Sequence, residues 1–209
     1  MALLDLPATK SSLLALKRQL AFAEEGYSLL DQKRELLLGE LTVTSGRARQ
    51  ARLKAEDALR RAFSALREAT LDAGSSAVDR AALGARAAHK AEIGERRLMG
   101  VRLPEAYGMA EPAFTAFGPG GTPAAADLAG KLFAGALPLL AGLAGLETAV
   151  LRLARELKKT QRRCNALSKR LMPDCRETIS FLSGNLEERE RESLIVLKMA
   201  RDRLRSSRE

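Results

Sequence analysis

Side chains able to do chemistry are few, and their spacing argues against a catalytic centre. Histidine occurs once, at His89, so a multi-histidine metal site is excluded and a Ser/His/Asp triad has no support; a lone histidine between two long segments reads as surface. Gly118, Gly120 and Gly121 are not followed by Lys-Ser or Lys-Thr, so they read as linker glycines and not as a phosphate-binding loop. Cys164 and Cys175 are the two cysteines. On one helix that spacing sets their Cα atoms roughly 16 Å apart, too far for a disulfide, and both read as small core thiols of a reducing compartment. The residues predict no catalytic, cofactor-binding or metal-binding group.

Charge is the next chemical feature. The chain of 209 residues carries 35 Lys and Arg against 26 Asp and Glu, a net +9, which raises an acidic partner: nucleic acid, a membrane surface or an acidic protein. Basic clusters stand at Arg47, Arg49, Arg52 and Lys54, and at Arg155, Lys158, Lys159, Arg162 and Arg163. A nucleic-acid groove needs a sustained cationic stripe with stacking aromatics. Here aromatics are 4% of the residues and Trp is absent, so the clusters read as a helix surface facing acidic protein walls. The run Glu187 to Glu192 alternates in sign, as a solvated helix face does. No secretory signal precedes Asp5 and Pro7. The uncharged stretch Leu132–Leu146 falls short of the roughly 20 residues that a spanning helix needs, which predicts a buried helix face and no direct membrane span.

These side chains must be carried by helices, because Ala, Leu, Arg and Glu dominate the chain. Steps of three and four residues run through Leu13, Leu16, Leu20, Ala23, Tyr27, Leu30, Arg34, Leu37, Leu41, Thr44, Ala48, Ala51, Ala55, Ala58, Ala62, Ala65 and Ala69. That is a heptad seam, which asks for a partner helix; at 1.5 Å per residue it spans on the order of 85 Å. A second seam follows Leu132, Ala136, Leu139, Leu143, Leu146, Val150, Leu153, Leu157, Thr160, Cys164, Leu167 and Leu171. Beyond Pro173 it slips by one position, to Cys175, Ile179, Leu182 and Leu186, then continues through Leu194, Leu197 and Leu204. Pro173 is expected to kink the helix or loosen a turn, and Pro138 to do the same or to mark a helix start.

Folding the chain back on itself places Leu13 near Leu186 and Ala69 near Leu132, with the alanines of 48–69 facing the bulkier seam of 132–153. Arg34 then lies opposite Thr160 to Asn165. Two readings stay open for it: a polar layer that fixes register, or a side chain that snorkels out of the seam. Gly74, Ser75 and Ser76 end the first seam, and the Gly and Pro residues from Gly100 to Pro123 rule out a continuous helix through the second half of 74–126. A short helix is expected over Ala77–Ala88, a strand or hairpin between His89 and Pro104, and a flexible loop over Phe114–Ala126. The expected fold is therefore all-α: a long antiparallel two-helix coiled coil of residues 1–73 and 127–209, with a smaller, partly irregular insert at 74–126 that admits a short β-hairpin.

Three stretches, in order, carry a resemblance. The first is Pro7-Ala8-Thr9-Lys10-Ser11 with Leu13-Leu14-Ala15-Leu16-Lys17, Gly26, Leu29-Leu30 and Lys33-Arg34-Glu35-Leu36; the second is Met99-Gly100-Val101-Arg102-Leu103-Pro104. The third is Lys159-Thr160-Gln161-Arg162-Arg163-Cys164-Asn165-Ala166-Leu167 with Met172-Pro173, Thr178-Ile179, Leu186-Glu187-Glu188-Arg189-Glu190 and Leu197-Lys198. Together they resemble the D subunits of the vacuolar/archaeal-type (V-type/A-type) rotary ATPases. Ala8 is an insertion relative to that pattern, Ser168 stands where the family has Glu, and Phe117–Pro123 has no counterpart in it. The resemblance implies a non-catalytic central rotor shaft, cytoplasmic and peripheral to the membrane. Such a shaft stands inside a ring of catalytic and nucleotide-binding subunits (A and B), contacts the small F subunit of the stalk and the funnel-shaped C/d subunit, and passes torque between ATP turnover and proton or sodium translocation. On that reading the candidate contact residues toward the ring and partners are Lys10, Lys33, Arg34, Arg162, Arg163, Asn165, Glu188 and Arg189. Heptads alone equally describe an autonomous coiled-coil scaffold, and the basic clusters a helical nucleic-acid binder.

Overall fold

A computed structural model describes residues 7–84, 89–110 and 124–206. In chain order the elements are α1 (Lys10–Ala73), α2 (Ser75–Gly84), β1 (His89–Leu98), β2 (Val101–Ala110), α3 (Ala124–Ala166), a π-helical turn (Leu167–Leu171) and α4 (Met172–Ser206). They fold as two compact units, Met1–Glu35 with Lys158–Glu209, and Leu36–Leu157. Each unit pairs a stretch of α1 with a stretch of the C-terminal helical run.

Local chemistry sets the ends of α1. Thr9 is its N-cap: the Ser12 backbone N–H donates to Thr9 Oγ1 at 3.1 Å, relieving one of the first-turn donors that have no partner inside the helix, and the Thr9 carbonyl accepts the first bond of the helix, from the Leu13 N–H at 3.0 Å. At the other end Gly74 takes φ +80° and its N–H reaches the Thr70 carbonyl at 3.0 Å. A residue with a Cβ is strained there, and the helix stops. The chain turns directly into α2, which is Ser75–Gly84, so the short helix starts two residues before its expected position; residues 85–88 of that expectation lie outside the described residues.

In the first unit, Leu16, Cys175 and Leu182 are buried together, with Ala8, Leu13, Leu20, Leu171 and Ile179 packed around them. The pairing is antiparallel, since Lys10 meets Glu190, Glu24 meets Arg176 and Arg34 meets Gln161. Pro173 follows the π turn, in which the Met172 N–H bonds back to the Leu167 carbonyl. Proline has no N–H to offer the preceding turn, and a widened turn takes up one surplus residue. The one-position slip of the seam is thus absorbed inside the helix as a loosened turn. Both cysteines are free and buried. Burial, with Asp174 next in sequence, raises the Cys175 thiol pKa above its ordinary 9.0.

In the second unit, Leu37, Val101, Leu103, Ala149 and Leu153 form the core, flanked by Leu41, Leu98 and Leu157. Two of its members come from the β-hairpin, which runs from His89 to Ala110 with Leu98 paired to Val101, beyond the expected end at Pro104. Its two-residue turn has positive φ at both Met99 (48°) and Gly100 (82°), the geometry that matches the twist of paired strands. Arg96 pairs with Glu40 of α1, and Arg152 of α3 donates to the Arg102 carbonyl at 2.9 Å. The hairpin is therefore fastened to both helices.

Further along β2 the approach is closer still. A Cβ added to Gly108 would lie 2.6 Å from Pro138 Cα, and one added to Gly145 would lie 2.8 Å from the Ala106 nitrogen. Pro138 sits inside α3, which begins at Ala124, so it does not mark the helix start, and Ala124–Ala126 are helical and not loop; residues 111–123 lie outside the described residues. Both long helices bury small side chains in this unit. Alanines are buried on both, Ala55, Ala62, Ala65 and Ala69 on α1 and Ala126, Ala129 and Ala136 on α3, while Leu139 is 39% exposed. Small side chains at such positions allow neighbouring backbones to approach.

Gly108→Val and Gly145→Val should each cost about 1–3 kcal/mol by overpacking, whereas Gly46→Ala, with open space around it, should be neutral or gain up to about 1 kcal/mol of helix propensity; denaturant unfolding of the three variants checks this. The Cys175 thiol contributes stability that is fully present below its unfolded pKa and lost as pH rises through the raised folded value. The unfolding midpoint should therefore fall between about pH 8 and pH 11 more in the parent than in Cys175→Ala, measured by denaturant titration at a series of pH values.

Candidate functional site

Among the described residues no group of three or more His, Cys, Asp or Glu side chains is placed to hold a metal ion. A recess of about 410 Å³ opens where Pro104, Ala106, Tyr107 and Gly108 of β2 meet Pro138, Gly142 and Leu146 of α3. Its polar groups are the Glu105 carboxylate and the Tyr107 hydroxyl, which donates to Glu105 at 2.9 Å. That bond raises the Tyr107 pKa, because losing the proton would set two negative charges side by side. The pair is exposed and spent on itself, which leaves no acid, base or nucleophile of this recess aimed at a substrate.

Surfaces are therefore the functional candidates. Arg34 is half-buried on α1, with Nη2 2.8 Å from Asp31 Oδ1 and Nη1 donating to Gln161 Oε1 at 3.4 Å. Gln161 in turn donates to Asn165 Oδ1 at 3.1 Å. A polar layer thus spans the two helices beside the buried Thr160, and Arg34 takes part in it instead of leaving the seam. Lys33 is half-buried and engaged as well. Arg162 and Arg163 point outward and are exposed, which fits their helical offset from the buried Thr160 and Cys164.

At the terminal end, Lys10 Nζ lies 2.6 Å from Glu190 Oε1, Arg189 donates to the Ala8 carbonyl at 3.2 Å, and Glu188 pairs with Arg191 at 3.4 Å. The Glu190 carboxylate raises the Lys10 pKa by accepting its hydrogen bond and by its charge. Exposed pairs of this kind add little stability; their use is in register.

Of the seam residues, Leu16, Leu37, Ala55, Ala62 and Leu153 are buried, and Leu13, Leu20, Leu30, Leu41, Ala48, Leu143, Leu146, Val150, Leu157, Leu167 and Leu171 are half-buried. Two features escaped sequence reasoning. One is the glycine-lined contact of β2 with α3, which joins residues far apart in sequence. The other is the exposure of Leu194, Ile195, Val196, Leu197 and Met199; the signal was present, since α4 carries its apolar residues past the point where α1 begins. The helical run Ala125–Arg203 also contains a stretch long and apolar enough to cross a membrane by length and composition.

The family model described as the D subunit of ATP synthase matches residues 12–202, which takes in the hairpin and most of the long helices. The D subunit of the A-type ATP synthase from Methanosphaera stadtmanae is 37% identical over 194 residues, 91% of each chain. Its V-type counterpart from Thermotoga neapolitana is 35% identical over 196 residues, covering 94% of this chain and 97% of its own, and the A-type D subunit of Pyrococcus abyssi is 34% identical over 201 residues, covering 94% and 93%. A match of that extent, on a chain whose helices pair within each compact unit, places this protein in the family of ATP synthase D subunits.

Proposed function

We propose that this chain is the non-catalytic central rotor shaft of a V/A-type ATPase or ATP synthase. It transmits torque between ATP hydrolysis or synthesis in a ring of A and B subunits and proton or sodium translocation by the membrane rotor. The observation that carries the reading is family membership across residues 12–202 in a chain whose two helices pair antiparallel within each compact unit. Two physical properties support it. Closely packed alanine and glycine contacts resist deformation, as a torque-bearing element requires. A surface of mixed charge slides past a protein wall without one deep energy minimum.

The terminal unit is the end held by the ring. Every residue from Glu187 to Arg203 is exposed, including five large apolar side chains at 194–197 and 199, and a partner wall is what such a surface awaits. Lys10, Lys33, Arg34, Arg162, Arg163, Asn165, Glu188 and Arg189 are the polar contacts of this reading. The small F subunit and the funnel-shaped C/d subunit are its partners at the other end, and the protein is cytoplasmic and peripheral to the membrane.

Affinity purification of the full chain from native extract should bring down nucleotide-binding ring subunits together with a small partner. Recovery of the chain alone as a self-associated coiled coil, or with nucleic acid released steeply by salt, would overturn the reading. Removal of residues 187–209 withdraws apolar side chains worth about 1.5 kcal/mol or more each when buried, so ring attachment or coupled turnover should fall by roughly tenfold or more; unchanged coupled activity would count against insertion of this end.

A further inference from the structure

The turn end of the hairpin carries charges that its own fold does not offset. Arg97 and Arg102 are Cα partners across the two strands. Their Cβ atoms therefore stand about 4.5–5.5 Å apart on one face, and like charges set directly opposite each other work against the pairing. Arg102 lies between Val101 and Leu103, which are buried; by alternation both arginines occupy the face turned away from that core, and both are exposed. The Arg102 carbonyl accepts from Arg152 of α3 at 2.9 Å, which brings a third guanidinium to the same strand. Arg155 is exposed as well and follows Arg152 at i,i+3, on the same side of the helix.

Among the described residues no ion pair reaches Arg97, Arg102, Arg152 or Arg155. The acids around them are used elsewhere or stand apart. Glu40 is taken by Arg96, and Glu156, one turn beyond Arg152, is half-buried and engaged. Glu95 shares the face of Arg97 but stands opposite Pro104. A hairpin that needed only to close would gain from an acid at position 97 or 102.

What completes such a cluster is a carboxylate. A planar guanidinium grips one with two parallel N–H bonds, and two facing arginines can share it. Nucleic acid needs aromatic platforms beside the cations. The hairpin's tyrosine, Tyr107, falls by alternation on the other face, opposite Glu92 and bonded to Glu105, two acids that repel a phosphate chain. We infer that Arg97, Arg102, Arg152 and Arg155 form a docking surface for an acidic segment of a partner protein, with its carboxylates seated between the facing arginines. These four are separate from the polar contacts of the rotor reading, on which the inference does not rest.

A hexaglutamate peptide titrated into the full chain at low salt, followed by NMR shifts of the backbone amides and arginine side chains, tests it. The shifts should centre on Arg96–Leu103 and Arg152–Arg155, and Arg97→Glu should weaken binding at least about tenfold. In the free chain the same variant replaces a like-charge pair by an opposite one, so the amides of Arg96–Leu103 should exchange about threefold more slowly. Arg67→Glu, the same charge change at an exposed site on α1, should alter neither reading. Equal weakening by Arg67→Glu and Arg97→Glu would show only diffuse attraction to a cationic chain and overturn the inference. Tighter binding of a thymidine single strand than of the peptide at the same arginines would overturn it in favour of nucleic acid. Either result leaves the rotor reading standing.

Discussion

Close approach of backbones is the constraint on which the rest of this structure depends. On the long helices it is permitted by alanines, with Ala55, Ala62, Ala65 and Ala69 buried on one and Ala129 and Ala136 on the other. Between hairpin and helix it is made by Gly108, Gly145 and Ala106. An alanine buries little area, so such a contact draws on many small dispersion terms that all require near-ideal distances. That makes it sensitive to a single added carbon. Leucine clusters supply the remainder: Leu16 with Leu182 in one unit, Leu37 with Leu153 in the other, each such side chain worth about 1.5–3 kcal/mol when buried. The fold thus combines a few large anchors with long stretches of tight, shallow packing.

Two prolines are accommodated within the helical run, by different means. Around Pro138 the helix continues, and the missing donor is placed where β2 crosses, with Gly108 yielding the space. Around Pro173 the ladder itself changes, and the Met172 N–H to Leu167 carbonyl bond closes a wider turn. That turn lies between Cys164 and Cys175, both buried, so the widened segment keeps its inward face on either side. One surplus residue would otherwise rotate everything downstream by about 100°, carrying Leu182 away from Leu16. A helix defect is therefore what keeps the terminal core in register.

Much of this was legible in the residues. The three-and-four spacing named a paired-helix fold, and Arg34 at a seam position marked the level at which Gln161 meets it. The hairpin was legible only in part, for a physical reason: Lys90 to Arg97 of β1 are all exposed, so no apolar alternation is required of that strand, and only Val101 and Leu103 of β2 carry the signal of a buried side. The notch at Gly108 and Gly145 could not be read at all. A glycine within a helix or strand is locally unfavourable, and what justifies it here is a neighbour brought in by the tertiary fold. The slip after Leu171 was visible as spacing, whereas its form, a widened turn and not a change of supercoil, depended on how Pro173 was satisfied.

Exposure of apolar surface and exposure of charge follow different logic here. Arg162 and Arg163 point away from the seam, as solvated cations do at no cost, and nothing in the fold requires them to be neutralised. Leu194, Ile195, Val196, Leu197 and Met199 are exposed as well, but apolar side chains on all sides of one helix have no such indifference to water. Along the paired part of α4 each turn offers one apolar side to α1; beyond Glu190 the helix adds apolar residues on the back without giving up those on the front. A solvated helix end needs neither, and a simple pair needs only the front.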